Sequence, residues 1–141
     1  MKSDLDNKLV AVIRIRGTIG VRRTIKETLV RMNLNRVNSL ALLYGNPSNL
    51  GMIKKCTDFI TYGEISAETL GKVLEKKGVK ASKEDIGKML SGEKKAKEVL
   101  NLPIRLKPPR RGYEDTKTGF SRGGATGFRG EAINEILRRM V

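Results

Sequence analysis

LVAVIRIRGTIGVRRTIKETLVRM (residues 9–32) has the hydrophobic patterns of a β-strand and of an amphipathic α-helix, separated by a short turn. Over residues 9–16, apolar side chains at every second position predict a strand with one buried face and with two arginines at the end of its outer face. Thr24, followed three residues later by Glu27, has the spacing of a capping box and predicts the start of the helix. The segment therefore predicts a strand, a turn and a helix in succession.

The next segments continue this alternation. SLALLY (residues 39–44) predicts a second strand, and DFITYGEI (residues 58–65) predicts a third. Between them, Asn46 as the cap and Pro47 at the first helical position predict a second helix. Residues 9–65 therefore predict an α+β fold, a β-α-β-α-β two-layer sandwich whose two helices cover one face of the sheet.

Helical patterns follow this unit. Ser66 is predicted to cap a helix that ends at Gly78, and Ser82 a helix that ends at Gly92, before a short third helix over residues 93–100. LPIRLKPP is predicted to be a strand or an extended arm. The predicted organisation is a core domain (1–65), a helical extension (66–102), a basic glycine-rich RNA-binding loop (103–130) and an anchoring C-terminal helix (131–141).

The segment PPRRGYEDTKTGFSRGGATGFRGE (residues 108–131) contains six glycines and few side chains that could form a core. Ordering backbone opposes folding by roughly 1 to 2 kcal/mol per residue, and Gly loses the most conformational freedom. We therefore expect this segment to stay disordered by itself and to be held by something outside the fold. Because helical patterns flank it, we expect a loop tethered at both ends.

The composition is strongly basic, with 29 Lys and Arg against 15 Asp and Glu and a formal net charge of +14. Such a field favours nucleic acid or an anionic membrane as a partner. No apolar run approaches the ~18 residues of a spanning helix, and the N-terminal apolar segment is too short and interrupted for a signal peptide. These features predict a cytosolic protein whose partner is nucleic acid and not a membrane.

Residues for catalysis or metal binding are scarce in the sequence. There is no histidine, and Cys56 is the single cysteine, so a disulfide and the usual zinc sites are not expected and Cys56 is predicted to be a core residue. The chain has neither a GxGxxG motif nor a P-loop. Glu27 and Asp58 are acid–base candidates only in principle. We expect no enzymatic activity, no metal and no cofactor.

Arginines at the start of the first predicted helix are the strongest candidates for RNA contact. Arg22 and Arg23 stand at the positive end of the helix dipole, which disfavours cations but suits a phosphate site. A solvated charged turn is the alternative. Lys54 and Lys55 end the second helix, where the dipole alone explains them. The full set of predicted RNA-binding residues is Arg14, Arg16, Arg22, Arg23, Lys26, Lys54, Lys55, Arg110, Arg111, Lys117, Arg122, Arg129, Arg138 and Arg139.

Three isolated aromatic residues lie among the cations of the glycine-rich segment, namely Tyr113, Phe120 and Phe128. Cations that alternate with rings suit RNA, because guanidinium groups contact phosphates while rings meet exposed bases. The alternative is a linker whose rings pack back on the domain. The sequence leaves both open for the rings.

The order of these motifs resembles a known family. RIRGTIGVRRTIKETLVRMNLNRVNS, followed by NPSNLGMIKKCTDFITYGEI, resembles large-subunit ribosomal protein thirty. IRLKPPRRG and GGATGFRGEAINEILRRMV resemble the extended archaeal form, which is related to its eukaryotic counterpart, numbered seven. Leu137 departs from the eukaryotic tail, which carries Arg there, and the long basic N-terminal extension of the eukaryotic form is missing.

This resemblance implies a structural constituent of the large (50S) ribosomal subunit, cytoplasmic and monomeric within the ribosome, that contacts ribosomal RNA and neighbouring ribosomal proteins. It implies a ferredoxin-like, three-stranded antiparallel sheet, whereas the strand-helix-strand order alone suggests parallel pairing. A site near 5S RNA stays open. On matching positions, the RNA face would include Arg14, Arg16, Arg22 and Arg23.

Two other functions are weighed against this one. The first is a free RNA-binding regulator outside the ribosome. The second is an RNA-modifying enzyme, for which the sequence offers no convincing acid–base pair. Sequence-specific DNA binding is disfavoured because no reading helix with exposed polar side chains is evident.

Overall fold

A computed structural model describes residues 8–17, 19–78, 82–91, 104–113 and 115–141. The described strands form a sheet in the order β4-β2-β1-β3-β6-β5. They are β1 (Leu9–Arg14), β2 (Ser39–Tyr44), β3 (Ile60–Glu64), β4 (Ile104–Arg105), β5 (Asp115–Gly119) and β6 (Gly124–Phe128). The described helices are α1 (Arg23–Arg31), α2 (Pro47–Lys55), α3 (Ala67–Lys77), α4 (Lys83–Ser91) and α5 (Ile133–Met140).

The centre of the sheet has the β-α-β-α-β order predicted from residues 9–65. β1 lies between β2 and β3 and pairs antiparallel with both. The antiparallel pairing implied by the family resemblance is therefore confirmed, and the parallel pairing suggested by element order alone is wrong. The connections through α1 and α2 return each strand beside β1 in the opposite direction.

The sheet is wider than the three strands predicted. The C-terminal part of the chain adds β4, which is antiparallel to β2, and β6, which is parallel to β3 and is flanked by β5. These additions pair backbone groups that would otherwise be exposed along the edges of β2 and β3. Much of the glycine-rich segment is thus sheet, and the predicted tethered loop is wrong for the residues in β5 and β6.

Both faces of the sheet are buried, although the alternation in β1 predicts one. Every residue of β1 is buried, with Leu9, Ala11 and Ile13 on one side and Val10 and Val12 on the other. Helices α1 and α2 cover the side of Val10, and α3, α4 and α5 cover the side of Leu9. The helical extension therefore packs on the sheet, and the central sheet has helices on both faces.

The start of α1 differs from the predicted capping box. The N-cap residue is Arg22, no side chain caps the helix, and Thr24 lies inside it. Glu27 instead forms an ion pair with Arg23, with 3.1 Å between Oε1 and Nε. The i,i+4 spacing of these two side chains on one helix face makes this pairing available once the helix begins two residues earlier than predicted.

The other predicted helix ends agree with the structure. Asn46 is the N-cap of α2 and Pro47 its first residue, although the Asn46 side chain makes no capping bond. The Ser66 hydroxyl accepts from the Thr69 N–H, and Gly78 ends α3 at a φ of +82°. Ser82 caps α4 by accepting from the Asp85 N–H. The helix predicted over residues 93–100 and the end at Gly92 lie outside the described residues.

The C-terminal helix docks on the end of β3. Asn134 accepts a hydrogen bond from the Ser66 N–H (2.8 Å) and donates to the Glu64 carbonyl oxygen (3.2 Å). The backbone at Gly63 lies so close to Gly130 that a Cβ there would collide with the Gly130 carbonyl group. None of the helices in the described ranges is long and apolar enough to cross a membrane.

Candidate nucleic-acid interface

Arg14, one of the predicted RNA contacts, is a buried structural residue. It is 2% exposed, its Nη1 donates to the Leu34 carbonyl oxygen at 2.7 Å, and its Nε donates to the Arg16 carbonyl oxygen at 2.9 Å. Burial also lowers the pKa of the Arg14 guanidinium. Arg14 shares its strand face with Val10 and Val12, which α1 and α2 cover, so its side chain lies inside the fold and the structure does not support the predicted contact.

Arg129 is a second predicted contact that the fold buries. It is 7% exposed, and its Nε donates to the Thr61 hydroxyl oxygen at 2.8 Å. Its Nη2 donates to the Ala125 carbonyl oxygen at 3.0 Å, and its guanidinium lies 4.8 Å from the centre of the Phe120 ring. Arg129 therefore ties the end of β6 to β3, and its burial gives the predicted RNA contact no support.

The cations around the start of α1 form an exposed surface, named here the turn surface and consisting of Arg16, Arg22, Arg23 and Lys26. The last three are exposed, and Arg16 is half-buried with its guanidinium 5.2 Å from the centre of the Phe59 ring. The first turn of α1 contains no acidic residue. Its amides and these cations together make a positive site of the kind that binds phosphate.

Two further predicted cations are separate from the turn surface along the chain. Lys54 and Lys55 are exposed in the last turn of α2, where they complement the negative end of the helix dipole. Their position agrees with a purely structural role and also leaves both ammonium groups accessible to RNA.

A second basic surface surrounds the end of α5 and is named here the C-terminal cluster. It consists of Lys76, Lys107, Arg110, Arg111 and Arg139. The Arg110 N–H donates to the Arg139 carbonyl oxygen at 3.2 Å, and the Lys76 ammonium donates to the Met140 carbonyl oxygen at 3.2 Å. The sequence indicated three of these residues but not Lys76 or Lys107, which reach the end of α5 only through tertiary packing.

The charges of this cluster influence one another. Burial, and then the positive charge of Lys107, lowers the pKa of the Lys76 ammonium. Arg138, which is also in α5, does not belong to this cluster. It forms an ion pair with Glu68, with 3.7 Å between Nη2 and Oε2. A polyanion would relieve the repulsion between Lys76 and Lys107.

An aromatic groove of about 650 Å³ lies at the start of β3, between the α2–β3 turn and the 3-10 turn Phe120–Arg122. Its lining includes Arg16, Asp58, Phe59, Tyr62, Lys117, Phe120 and Phe128. Arg16 and Lys117 had been predicted as RNA contacts, and the groove brings them together. Phe59 and Tyr62 were missed because they belong to a predicted strand, where aromatic residues are ordinarily core.

The three aromatic residues of the glycine-rich segment have different surroundings. Tyr113 packs on the domain, where its hydroxyl donates to the Asn38 side-chain oxygen at 2.6 Å and burial raises the pKa of Tyr113 to about 12. Phe128 lies against Tyr62, with 5.6 Å between the ring centres. Phe120 is exposed, as is its neighbour Arg122. Packing on the domain therefore accounts for Tyr113 and Phe128, whereas Phe120 contacts Arg129 and is still exposed.

Comparison with known proteins agrees with an α+β ribosomal protein. Residues 10–60, from β1 to the first residue of β3, match the family described as ribosomal protein L30p/L7e. The chain is 40% identical to the large ribosomal subunit protein uL30 of Methanococcus vannielii over 93% of this chain and 98% of that protein. It is 37% identical to uL30 of Thermoplasma volcanium over 94% of this chain and 93% of that protein.

The chain belongs to the uL30 family of large ribosomal subunit proteins. The family resemblance predicted from the order of motifs is therefore confirmed, and so is the archaeal character of its relatives. Proteins of this family are structural and not enzymatic.

Proposed function

We propose that this chain is a structural constituent of the large ribosomal subunit and binds large-subunit ribosomal RNA through the turn surface. The observation that carries the proposal is the exposure of Arg22, Arg23 and Lys26 at the positive end of α1. Cations there oppose the helix dipole. Arg23 has a local partner in Glu27, but that ion pair does not explain Arg22 or Lys26. A phosphate placed at this site would satisfy the amides and the guanidinium groups together.

The C-terminal cluster supplies a second contact to the same RNA. Its cations lie around the carbonyl end of α5, where the Lys76 ammonium and the Arg110 N–H donate to carbonyl oxygens of that helix. Two separated basic surfaces would let a small rigid domain hold two RNA segments at a fixed distance, which is the mechanical task of a scaffold protein. The chain acts as a single copy in the cytoplasmic ribosome, beside neighbouring ribosomal proteins and at a site that includes 5S RNA as a candidate contact.

The first test is binding of the purified chain to large-subunit ribosomal RNA, to 5S RNA and to unrelated RNA of matched length, titrated across salt concentration. Shape-specific docking predicts a preference for ribosomal RNA that survives added salt. Equal binding to all RNAs that vanishes with a steep salt dependence would contradict the proposal, because it would reflect positive charge alone.

Paired variants locate the contact. Replacing both Arg22 and Arg23 with Ala is expected to weaken binding and to lower the slope of log K against log salt by about 1 to 2, as two lost phosphate contacts would. The control replaces Lys83 and Lys88, two exposed cations of α4, and removes the same charge. Equal losses in the two double variants would contradict a specific role for the turn surface.

Cofractionation in cell extracts separates the scaffold from a free regulator. A structural constituent stays with large subunits at moderate salt, whereas a regulator outside the ribosome sediments mostly as free protein. Finding most of the chain in the free fraction would overturn the proposed function.

A further inference from the structure

We infer that the aromatic groove binds one unpaired nucleotide of RNA, with its base against the Phe120 ring and its phosphate near Arg16 and Lys117. This inference rests on the proposed function, since it names what one part of the chain recognises in its RNA. The groove and the turn surface are different sites that share one residue, Arg16.

The size and position of the groove fit a single nucleotide. Its volume of about 650 Å³ lies within the range of small-ligand pockets. One wall is the α2–β3 turn with Asp58 and Phe59, and the other is the 3-10 turn with Phe120. RNA is commonly read through unpaired bases that are splayed out and placed on aromatic side chains.

Phe120 offers a fixed and accessible platform. Phe120 is 37% exposed, and the Arg129 guanidinium lies 4.8 Å from the centre of its ring. Arg129 is itself held by Thr61 and Ala125, so the ring rests on a rigid support. A prearranged ring loses little freedom when a base stacks on it, and this favours binding.

The charges of the groove favour an anion at its rim. Arg16 and Lys117 contribute two positive charges, against the single carboxylate of Asp58 among the lining residues. The Arg16 guanidinium is already oriented over the Phe59 ring at 5.2 Å. Asp58 would repel a phosphate but can accept hydrogen bonds from the amino group of a base, as carboxylates do from cytosine. The lining thus provides both a phosphate end and a base end.

Ultraviolet crosslinking of the full chain bound to large-subunit ribosomal RNA tests the inference, because stacked rings crosslink to the base they touch. After tryptic digestion, Phe120 lies in the peptide 118–122, Phe128 in 123–129, and Phe59 with Tyr62 in 56–72. We expect a nucleotide adduct on the peptide 118–122. Adducts confined to other peptides, or a crosslink of this groove to another protein in intact subunits, would overturn the inference.

Affinity of variants gives a second measurement. Phe120→Leu keeps an apolar side chain but removes the ring, and is expected to weaken RNA binding about tenfold, while Phe120→Trp restores it. Val37→Ala, at an exposed apolar position outside the groove, is the control and should bind normally. Circular dichroism establishes that each variant is folded.

The outcomes separate this inference from the proposed function. If Phe120→Leu binds as tightly as the parent while the Arg22 and Arg23 variant loses affinity, the groove is empty and the ribosomal RNA contact stands. If the parent chain has no preference for ribosomal RNA, the proposed function fails, and the inference that rests on it fails as well.

Discussion

Arg14 donates a hydrogen bond from Nη1 to the Leu34 carbonyl oxygen over 2.7 Å, and it does so from the interior of the domain. Leu34 follows α1 and belongs to the core cluster beneath that helix. The guanidinium thus joins the end of β1 to the chain that leaves α1. Its Nη2 has no hydrogen-bond partner among the described residues, so its burial is only partly compensated.

Arg14→Ala is expected to lower the free energy of unfolding by about 2 to 4 kcal/mol, since it leaves buried carbonyl oxygens unpaired and opens a cavity. Arg14→Met should lose less, because it keeps most of the volume. Denaturant unfolding measures both, with the exposed Arg31→Ala as a control expected to change stability by under about 0.5 kcal/mol. Normal stability together with weakened RNA binding would restore Arg14 as a contact.

Arg22→Asp is expected to change stability and RNA binding in opposite directions. An Asp at the N-cap of α1 can accept from the free amides and complements the dipole, so the free energy of unfolding should rise by about 0.5 to 1 kcal/mol. RNA affinity should fall because a cation becomes an anion in the turn surface. Arg31→Asp makes the same change of charge in the last turn and should destabilise the helix. A parallel loss of stability and affinity in Arg22→Asp would contradict this reasoning.

Gly63→Ala is expected to destabilise the fold by about 1 to 3 kcal/mol, because its Cβ would press on the Gly130 backbone and the Ile133 side chain where α5 docks on β3. Gly87→Ala, on α4, adds a Cβ into open space and should instead stabilise by up to about 1 kcal/mol. Thermal unfolding of the two variants compares them directly. Similar effects of the two substitutions would show that α5 is not seated on β3 as described.

Tyr113 should make the stability of the chain depend on alkaline pH. Its pKa is raised to about 12 by burial, whereas the unfolded value lies near ~10. The unfolded state therefore loses its proton first, so the stabilisation is complete below about pH 10 and is lost as the pH rises toward 12. Tyr113→Phe loses the bond to Asn38 at neutral pH and should lose less stability over this window. An unchanged pH profile in Tyr113→Phe would contradict a buried neutral phenol.

The individual helices and strands could be predicted from the sequence because the patterns that define each of them lie within a few residues. Ser66 and Ser82 were found as caps because each bonds to a residue three positions later. The order of β1, α1, β2, α2 and β3 followed from apolar periodicity alone. The capping box at Thr24 failed for a related reason: Arg23 competes for Glu27 at the same short range.

The candidate site could be predicted only in part from the sequence. The exposed Arg22, Arg23 and Lys26 follow from charge at a helix start, and the structure leaves them exposed. The aromatic groove was not foreseen, since it joins Phe59 on one side of the sheet edge to Phe120 on the other. No pattern within a short window reports a contact between segments that lie about sixty residues apart in the chain.

Sequence patterns alone therefore specified the strand and helix order of residues 9–65, the basic character of the chain and its family. Periodicity, capping and motif order depend only on residues that are close together in the chain. Tertiary structure decided which arginines reach solvent. Arg14 and Arg129 have the charge expected of RNA contacts, yet both are buried. Helices α1 and α2 cover Arg14, and Arg129 donates a hydrogen bond to Thr61 of β3. The physical reason is that a side chain's exposure depends on what packs over its face, and both faces of this sheet are covered by segments distant in the chain.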